Sequence, residues 1–389
     1  MSTIIYIGGE LPDNDASALR VMANAKALRE YGYNVVLIGQ TRKKQHSSTT
    51  FTEIEGFRVY FVSYPRSTTE WIREIFSSKI YKRIISEYND VSAIVCYNFH
   101  ANPLLSLIRY GKRNSIAVIA DCTEWHTVNH LSLFKRATKY YDITKRIRHA
   151  QYKCDGIIAI SNYFKDMYQD KLAVVVIPPL VDREAAKWNS DPKSFKESRV
   201  KRFVYAGRMG IGKDYIRPCL VSFSKFKEKN YKIDIVGVTK DEYLNKNPDH
   251  TSLLEKLGRK VCFYGMLPHE ETLEFVNKAD FSLLIRKHNR KNDSGFPTKL
   301  AESITCGTPV IATDFSDVRQ YIEKYQLGIM IDTVDNIYSG LERALSMNND
   351  ELEKLKQNCL NCRAFDYRNY IDILGNFIEE ICTESRRAR

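Results

Sequence analysis

One local pattern recurs in both halves of the sequence and restricts the folds open to the chain: a short apolar strand, a loop containing glycine, and a helix. The first copy joins the strand Thr3–Gly8 to a helix over Ala16–Tyr31. The second joins the strand Phe203–Ala206 to a helix over Tyr215–Lys229. Units of this kind form parallel sheets covered by helices. The chain is therefore predicted to be α/β, with two Rossmann-like domains that face each other across a cleft.

A chain of 389 residues is long enough for two domains of ordinary size. Pro178-Pro179 and the polar stretch 182–199 mark the boundary, because consecutive prolines stiffen a connection between domains. Near the end of the chain, a long helical stretch is predicted over Glu351–Glu384, with a break near Phe365-Asp366.

The composition excludes several classes of protein. No apolar run approaches the ~18 residues that cross a bilayer, and Met1-Ser2-Thr3 lacks the basic segment of a signal peptide. The nine cysteines are odd in number and scattered, which indicates reduced thiols in a cytosolic protein. Cys359 and Cys362 form an isolated CxxC, for which two helical cysteines are favoured over a zinc or redox site.

The net charge of +12 favours a polyanionic partner. Much of it lies in a predicted amphipathic helix over Lys135–Lys153, where aromatic and aliphatic residues alternate with cations. The cations are Lys135, Arg136, Lys139, Lys145, Arg146, Arg148 and Lys153. An anionic membrane surface or a phospholipid is the preferred partner, and a simply solvated face is the alternative. No nucleic-acid motif accompanies the charge, so no nucleic-acid partner is expected.

The stretch Asp293–Thr313 predicts a loop, a short helix over Thr298–Thr305 and a buried strand. The helix begins with unpaired N–H groups beside Lys299, which is a suitable site for an anion. Glu302 lies one turn further and can accept hydrogen bonds from two neighbouring hydroxyls. An anion together with a diol indicates a nucleotide, with its phosphates at the helix start and its ribose on the carboxylate.

A second group of cations supports this interpretation. Arg208 and Lys213 flank the glycine-rich loop that follows the strand Phe203–Ala206, and both can reach one pyrophosphate. No DxD-type acidic triplet follows a strand, so the residues indicate a site that works without a metal ion.

The run Gly295–Thr313, G-F-P-T-K-L-A-E-x4-G-T-P-V-I-A-T, resembles the donor-site signature of the retaining GT-B-fold glycosyltransferases of family 4, also described as glycosyl transferases group 1. The resemblance extends to A-G-R-x4-K-D (206–214), F-Y-G (263–265), I-P-P-L-V-D (177–182) and Gly8-Gly9. It implies an acceptor-binding domain over 1–180 and a nucleotide-sugar-binding domain over 185–364. It also implies a C-terminal helix over 365–389 that returns toward the first domain, with a disordered basic tail.

The resemblance further implies hexosyl transfer with retention, from a nucleoside diphosphate sugar that serves as substrate, a UDP-sugar first of all, without cofactor or metal. Arg208 and Lys213 would hold the diphosphate and stabilise the leaving group, and Glu302 would bind the ribose. The other donor-binding residues would be Gly9, Gly265, Met266, Asp293, Ser294, Gly295, Phe296, Pro297, Thr298 and Lys299.

In the first domain, the resemblance implies that the catalytic histidine beside the reacting sugar is His126. Glu124 or His100 could hold that role instead, and His126 could also be a packed loop histidine. The acceptor-binding residues would be Gly8, Gly9, Arg20 and His100.

One position departs from the family pattern. The family usually carries a carboxylate eight residues before Glu302, where this chain has Ser294. Asp293 could reach in from the next position, Ser294 could make neutral contacts suited to a different sugar, or the chain could be catalytically inactive.

These features predict a cytoplasmic enzyme that rests on the inner face of the membrane and extends a lipid-linked glycan of a surface polysaccharide, glycolipid or glycoprotein. The alternatives are a non-catalytic partner subunit of a glycosyltransferase complex and a GT-B-type sugar-nucleotide epimerase. The oligomeric state is not predicted.

Overall fold

A computed structural model of the chain describes residues 2–11, 16–42, 50–126, 133–188, 200–208 and 215–387. The chain forms two compact units. Unit 1 comprises Met1–Val181, Ser294–Phe296 and Asp366–Arg389, and unit 2 comprises Asp182–Asp293 and Pro297–Phe365. Each unit is built on one sheet, of eight strands in unit 1 and six in unit 2.

The sheet of unit 1 has the strand order β3-β4-β2-β1-β5-β6-β7-β8. All neighbouring strands are parallel except β3 and β4. The strands are β1 (Thr3–Glu10), β2 (Asn34–Thr41), β3 (Phe51–Ile54), β4 (Phe57–Ser63), β5 (Val91–Tyr97), β6 (Ala117–Cys122), β7 (Gly156–Ala159) and β8 (Ala173–Val176). The central strands are continuous apolar runs because helices cover both faces.

The helices of unit 1 are α1 (Ala16–Tyr31), α2 (Thr68–Phe76), α3 (Lys79–Ile85), α4 (Ala101–Asn114), α5 (Leu133–Lys145) and α6 (Asn162–Tyr168). Helix α1 has the predicted bounds. The predicted basic helix continues past α5 as a π-helical turn, Arg146–Ala150, and a 3₁₀ turn, Gln151–Lys153.

The glycine pair of the first loop lies inside β1, not after it. The pairing of β1 with β2 shifts register between Ile7 and Glu10, which marks a bulge at Gly8 and Gly9. Gly8 has φ +125°, and a Cβ there would lie 2.7 Å from Cβ of Tyr97 on β5. Glycine is therefore required at this position by the neighbouring strand.

The sequence pattern predicts one helix over Trp71–Tyr88, but the structure has two helices in this region, α2 and α3. Ser77 is extended and its N–H donates to the Arg73 carbonyl, which closes the last turn of α2. The buried hydroxyl of Ser78 donates to Ser106 on α4 at 2.8 Å. Ser77 thus leaves the helical conformation, and the Ser78 side chain bonds to another helix without capping α3, contacts that helical periodicity does not reveal.

The sheet of unit 2 is fully parallel, with the strand order β11-β10-β9-β12-β13-β14. Its strands are β9 (Lys201–Ala206), β10 (Tyr231–Val236), β11 (Val261–Gly265), β12 (Phe281–Leu284), β13 (Val310–Thr313) and β14 (Gly328–Ile331). In both sheets the strand order reverses beside the first strand of the unit. This is the place where open α/β sheets bind ligands.

The helices of unit 2 are α7 (Ile216–Phe223), α8 (Lys240–Lys246), α9 (Thr251–Leu257), α10 (His269–Lys278), α11 (Arg290–Ser294, whose last residue belongs to unit 1), α12 (Thr298–Thr305), α13 (Val318–Tyr325), α14 (Ile337–Ser346) and α15 (Asn349–Asn361). Helix α7 stops short of the predicted end at Lys229, because the Ser224 hydroxyl donates to the Val221 carbonyl at 2.8 Å and Phe226 turns into the core.

The last helix, α16 (Ile371–Arg387), follows a 3₁₀ turn at Tyr367–Tyr370 and belongs to the core of unit 1. Leu374 and Ile378 are fully buried there. A side chain at Gly375 would collide with the ring of Tyr31 on α1. The C-terminal helix therefore returns to the unit in which the chain began. Within the described ranges, no helix is both long and apolar enough to cross a membrane.

Candidate functional site

Three neighbouring strands of unit 2 lead into glycines at the carboxyl edge of the sheet. Gly207, Gly237 and Gly265 have φ of +147°, +94° and +65° and follow or end β9, β10 and β11. The Gly207 N–H donates to the Val236 carbonyl at 2.9 Å, and the Gly237 N–H donates to the Gly265 carbonyl at 2.6 Å. Because Gly237 lacks a side chain, its backbone lies close to that of Gly207.

Lys299 brings a positive charge to this glycine-lined edge. Its Nζ lies 4.7 Å from the ring centroid of Tyr205 on β9, and a Cβ at Gly207 would collide with it. Arg208 is exposed at the end of the same strand, and its carbonyl accepts a hydrogen bond from the Tyr205 hydroxyl at 3.4 Å. Two of the predicted donor-binding cations thus meet at the end of β9. Lys213 lies outside the described residues.

The loop before α12 has the predicted turn followed by a short helix. The α12 N-terminus has Pro297 as its cap residue and carries no side-chain cap. Phe296 is buried, whereas Gly295 is partly exposed. The carboxylate of Asp293 pairs with His288 Nδ1 at 3.0 Å and accepts a hydrogen bond from the Ser316 N–H at 3.4 Å. Asp293 therefore has protein partners within unit 2.

Glu302 forms a contact that sequence reasoning missed. Its Oε1 lies 2.9 Å from Nε2 of His269, the first residue of α10. Burial raises the pKa of the nearby Cys306 thiol to about 12, and the Glu302 carboxylate adds to that increase. His269 lies 33 residues from Glu302 in the chain, so no local spacing could have indicated the pair.

The end of β11 offers an apolar surface beside the glycines. Met266 follows Gly265 and is 56% exposed. The Tyr264 hydroxyl donates to the Asp234 carboxylate at 2.9 Å, which fixes its ring beside Phe275. Among the described residues of the whole chain, no group of three or more His, Cys, Asp or Glu side chains could hold a metal ion.

Arg20, predicted to bind the acceptor, lies in the core of unit 1. It is 2% exposed, its NH2 group donates to Asp121 at 2.7 Å, and its NH1 group donates to the Ile177 carbonyl at 2.7 Å. The same Asp121 accepts from the Tyr6 hydroxyl at 2.6 Å, and Asn24 donates to that hydroxyl at 2.9 Å. The guanidinium is therefore buried and bonded within unit 1, and acceptor binding by Arg20 stays a prediction.

His100 lies after β5 and is oriented by a buried carboxylate. Its Nδ1 is 2.7 Å from Oδ2 of Asp142, while Oδ1 accepts from the Ala101 N–H at 2.9 Å. Burial alone would raise the pKa of Asp142, but the bond and charge of His100, the charge of Arg146 and the Ala101 N–H together lower it. The ring is therefore fixed through Nδ1, and its side chain stays 30% exposed at the strand end.

Near His100, Glu74 on α2 bonds to Gln40 at the end of β2. Burial raises the pKa of Glu74, and the neighbouring His100 charge and the Gln40 bond only partly offset this. The carboxyl edge of unit 1 thus offers carboxylate, amide and imidazole groups, which are suited to recognising hydroxyls.

The other predicted residues of this edge are Glu124 and His126, which follow β6. His126 Nδ1 lies 3.7 Å from Oε2 of Glu124, and the two side chains are 38% and 16% exposed. The Thr123 N–H donates to Oδ1 of Asn98 at 3.3 Å, so this loop is tied to the end of β5. The structure leaves His126 more accessible than Glu124. Its catalytic role remains a prediction.

Ser294, at the position that departs from the family pattern, is fully buried. Within unit 1 its hydroxyl accepts from the Trp125 N–H at 2.9 Å, and its carbonyl accepts from the Ser161 hydroxyl at 2.8 Å. The buried Ser294 side chain therefore has a hydrogen-bond partner within unit 1.

The predicted basic face over Lys135–Lys153 is less uniformly charged than expected. Arg146, in the π-helical turn, is 4% exposed and its NH1 group donates to the Asn98 carbonyl at 2.8 Å. Lys145 donates to Oδ1 of Asn102 at 2.8 Å. Arg136 and Arg148 are exposed. Arg146, which was predicted to lie on the basic face, is therefore buried and bonded to the residue that follows β5.

Comparisons with known proteins agree with this architecture. Residues 186–360 match the family described as Glycosyl transferases group 1, a little under half of the chain. No curated sequence matches.

Solved structures with the GT-B fold align over nearly all of the chain. The α,α-trehalose 6-phosphate synthase of Burkholderia multivorans aligns with a TM-score of 0.72 and 10% identity, over 99% of this chain and 100% of that one. The lipopolysaccharide outer core galactosyltransferase WaaB gives 0.62 and 14%, over 95% and 99%. Anabaena Alr3699/HepE in complex with UDP gives 0.64 and 10%, over 99% and 100%. The chain therefore has the GT-B fold, and the family match supports a glycosyltransferase.

Proposed function

We propose that the chain is a retaining glycosyltransferase, since residues 186–360 match a glycosyltransferase family and the whole chain has the GT-B fold. Unit 2 would bind a nucleoside diphosphate sugar and unit 1 the acceptor. The observation that carries the proposal is the meeting of Lys299, Arg208 and the glycine-lined backbone at the end of β9.

This arrangement suits the departure of a diphosphate. Negative charge develops on the leaving group as the bond to the sugar breaks, and only contacts that strengthen with that charge accelerate the step. Arg208 and Lys299, together with Lys213, would supply positive charge, and the uncapped N-terminus of α12 would supply N–H donors. The proposal therefore requires no metal ion. The UDP named in the HepE structure supports a uridine nucleotide as the first donor to test.

An acceptor linked to lipid is supported by the surface of unit 1. Helices α2 and α5 both adjoin the first turn of α4, where the Asn102 amide donates to the Ile75 carbonyl at 3.3 Å and accepts from Lys145. The two helices expose large side chains, which we call the aromatic surface: Ile72, Phe76, Tyr140 and Tyr141, between 41% and 62% exposed. Exposed arginines accompany them. Apolar and cationic side chains together are typical of a surface that binds anionic membranes.

The lipopolysaccharide acceptor implied by the name WaaB supports a surface glycan as the product class. On this proposal the protein acts at the inner face of the membrane and extends a surface polysaccharide, glycolipid or glycoprotein precursor.

The donor site is tested by thermal-shift measurements with a panel of nucleotide sugars, because a ligand that binds the native state raises the melting temperature. The donor found in this way is then used in a transfer assay with Arg208→Ala. We expect the variant to keep its fold and lose at least about tenfold in kcat/KM, since one phosphate contact is removed. Arg202→Ala, at the other end of β9, is the matched control and should keep full activity. Undiminished transfer by Arg208→Ala would contradict the proposal.

The acceptor side is tested by sedimentation with vesicles containing anionic lipid. Phe76→Ser with Tyr140→Ser should reduce binding, while Phe51→Ser, which removes a 45% exposed aromatic from β3, should not. Equal binding by all variants would rule out the aromatic surface as the membrane contact.

A further inference from the structure

The pair formed by His269 and Glu302 joins two helices of unit 2. His269 begins α10 and Glu302 lies in the second turn of α12. The 2.9 Å separation between Nε2 and Oε1 is a hydrogen bond, and both side chains are 18% exposed. Because the end torsion of a glutamate is otherwise broad, this bond fixes the direction of the carboxylate.

The two nitrogens of the His269 ring have different surroundings. The other nitrogen, Nδ1, is buried and takes no hydrogen bond from the described residues. An unpartnered buried nitrogen destabilises a fold, so an apolar side chain would serve packing better at this position. Since a carboxylate only accepts, Nε2 must carry the hydrogen. The bond to Glu302 is therefore the polar contact that the ring makes.

We propose that His269 is a positioning residue that holds Glu302 ready for the ribose hydroxyls of the donor nucleotide, an inference that rests on the proposed function. Within the described residues the Glu302 side chain is bonded through Oε1, which leaves Oε2 for a diol. A carboxylate already held in one orientation loses less conformational entropy when the ligand binds. His269 thus acts on affinity for the ribose and not on the reacting sugar.

The inference is tested by isothermal titration of the full chain with UDP and with 2′,3′-dideoxy-UDP. His269→Leu removes the bond to Glu302, and His269→Gln restores an N–H donor. Glu270→Gln, at the exposed next position of α10, is the matched control.

We expect the unmodified chain to bind UDP about tenfold or more tightly than the dideoxy compound, which corresponds to one good polar contact. His269→Leu should weaken UDP binding by about tenfold and leave dideoxy-UDP binding within about twofold. His269→Gln should recover part of the loss, and Glu270→Gln should bind like the unmodified chain. In transfer assays, His269→Leu should raise KM for the donor more than it lowers kcat, because the ribose does not react.

An equal loss for both ligands in His269→Leu would overturn the inference, because it would show an effect on the fold or on another part of the nucleotide. Unchanged UDP binding in His269→Leu would overturn it as well, while leaving the proposed function intact. If the unmodified chain bound no ribonucleoside diphosphate at all, the proposed function would fail and the inference with it.

Discussion

At the carboxyl edge of unit 1 the strands carry side chains that bind one another, whereas the corresponding edge of unit 2 is lined by glycine backbone and cations. Asp121, at the end of β6, is enclosed by Arg20 and Tyr6. At Gly207, which follows β9, the ammonium group of Lys299 lies where a side chain would be. Parallel sheets therefore carry a buried polar network at the edge of one unit and a positively charged edge in the other.

On the proposed function, the difference indicates which part of a substrate each edge would recognise. In unit 2, backbone and cations suit a phosphate group, which all nucleoside diphosphates share. In unit 1, His100 and Glu74 are partly exposed side chains, each bonded to one neighbour, Asp142 and Gln40 respectively.

The largest effect is expected at the buried pair of unit 1. Asp121→Asn leaves the Arg20 guanidinium buried without its countercharge, which typically destabilises a protein by about 3–5 kcal/mol. The free energy of unfolding in urea measures this loss. Asp249→Asn is the control, because the 2.6 Å pair that Asp249 forms with Arg217 is exposed and its loss should destabilise the fold far less. Similar losses of unfolding free energy in Asp121→Asn and Asp249→Asn would show that the buried pair of unit 1 stabilises the fold no more than an exposed pair does.

Next in size is the effect of filling the glycine-lined edge of unit 2. Gly207→Ala places a methyl group against the Lys299 ammonium at a φ of +147°, so we expect donor affinity to fall by about tenfold or more. Gly258→Ala is the control, because φ there is +52° and no atom lies within 4 Å of the added carbon. Titration with the donor nucleotide compares them. Full affinity in Gly207→Ala would show that the ligand does not use this end of β9.

Elements with a strong local pattern could be predicted from the sequence. Helices α1 and α12 have the predicted bounds, since an alanine-rich apolar stripe defines the first and proline and glycine delimit the second. The break between α2 and α3 could not be predicted, because it depends on a hydrogen bond from Ser78 to Ser106 on a helix that the sequence did not reveal.

Local pattern also set how far the placement of the candidate site residues could be predicted. Lys299 and Arg208 lie in motifs next to strand ends, so their neighbourhood follows from the topology. The bonds of Arg20 to Asp121 and of His269 to Glu302 join residues 101 and 33 positions apart. Charge and polarity in the sequence suggest that such residues are functional or exposed, and only the packed structure shows which of them bind each other.

A smaller effect is expected at Asp142, which orients His100. Since the folded-state pKa of this carboxyl is lowered, its contribution to stability is present above its unfolded value of about 3.9 and is lost as the pH falls through the folded value. Asp142→Asn should therefore cost about 1–2 kcal/mol at neutral pH and progressively less below about pH 4. Urea unfolding at several pH values checks this. If the loss of unfolding free energy does not vary with pH, Asp142 stabilises the fold through its shape and not through its charge.

The smallest effect is expected at Glu74, which is also near His100, and it has the opposite sign. Burial raises the pKa of this carboxyl, so the folded protein holds the proton more tightly than the unfolded chain. Its contribution to stability is then present below the unfolded value of about 4.3 and is lost as the pH rises through the folded value. Glu74→Gln keeps an acceptor for Gln40 and removes the charge. At neutral pH the free energy of unfolding of the variant should equal that of the unmodified chain or exceed it by less than about 1 kcal/mol. In acid this difference should disappear, as measured by the same urea series. If Glu74→Gln were destabilised at neutral pH, the ionised carboxylate would be favoured by its surroundings, and the two carboxylates beside His100 would stabilise the fold in the same way.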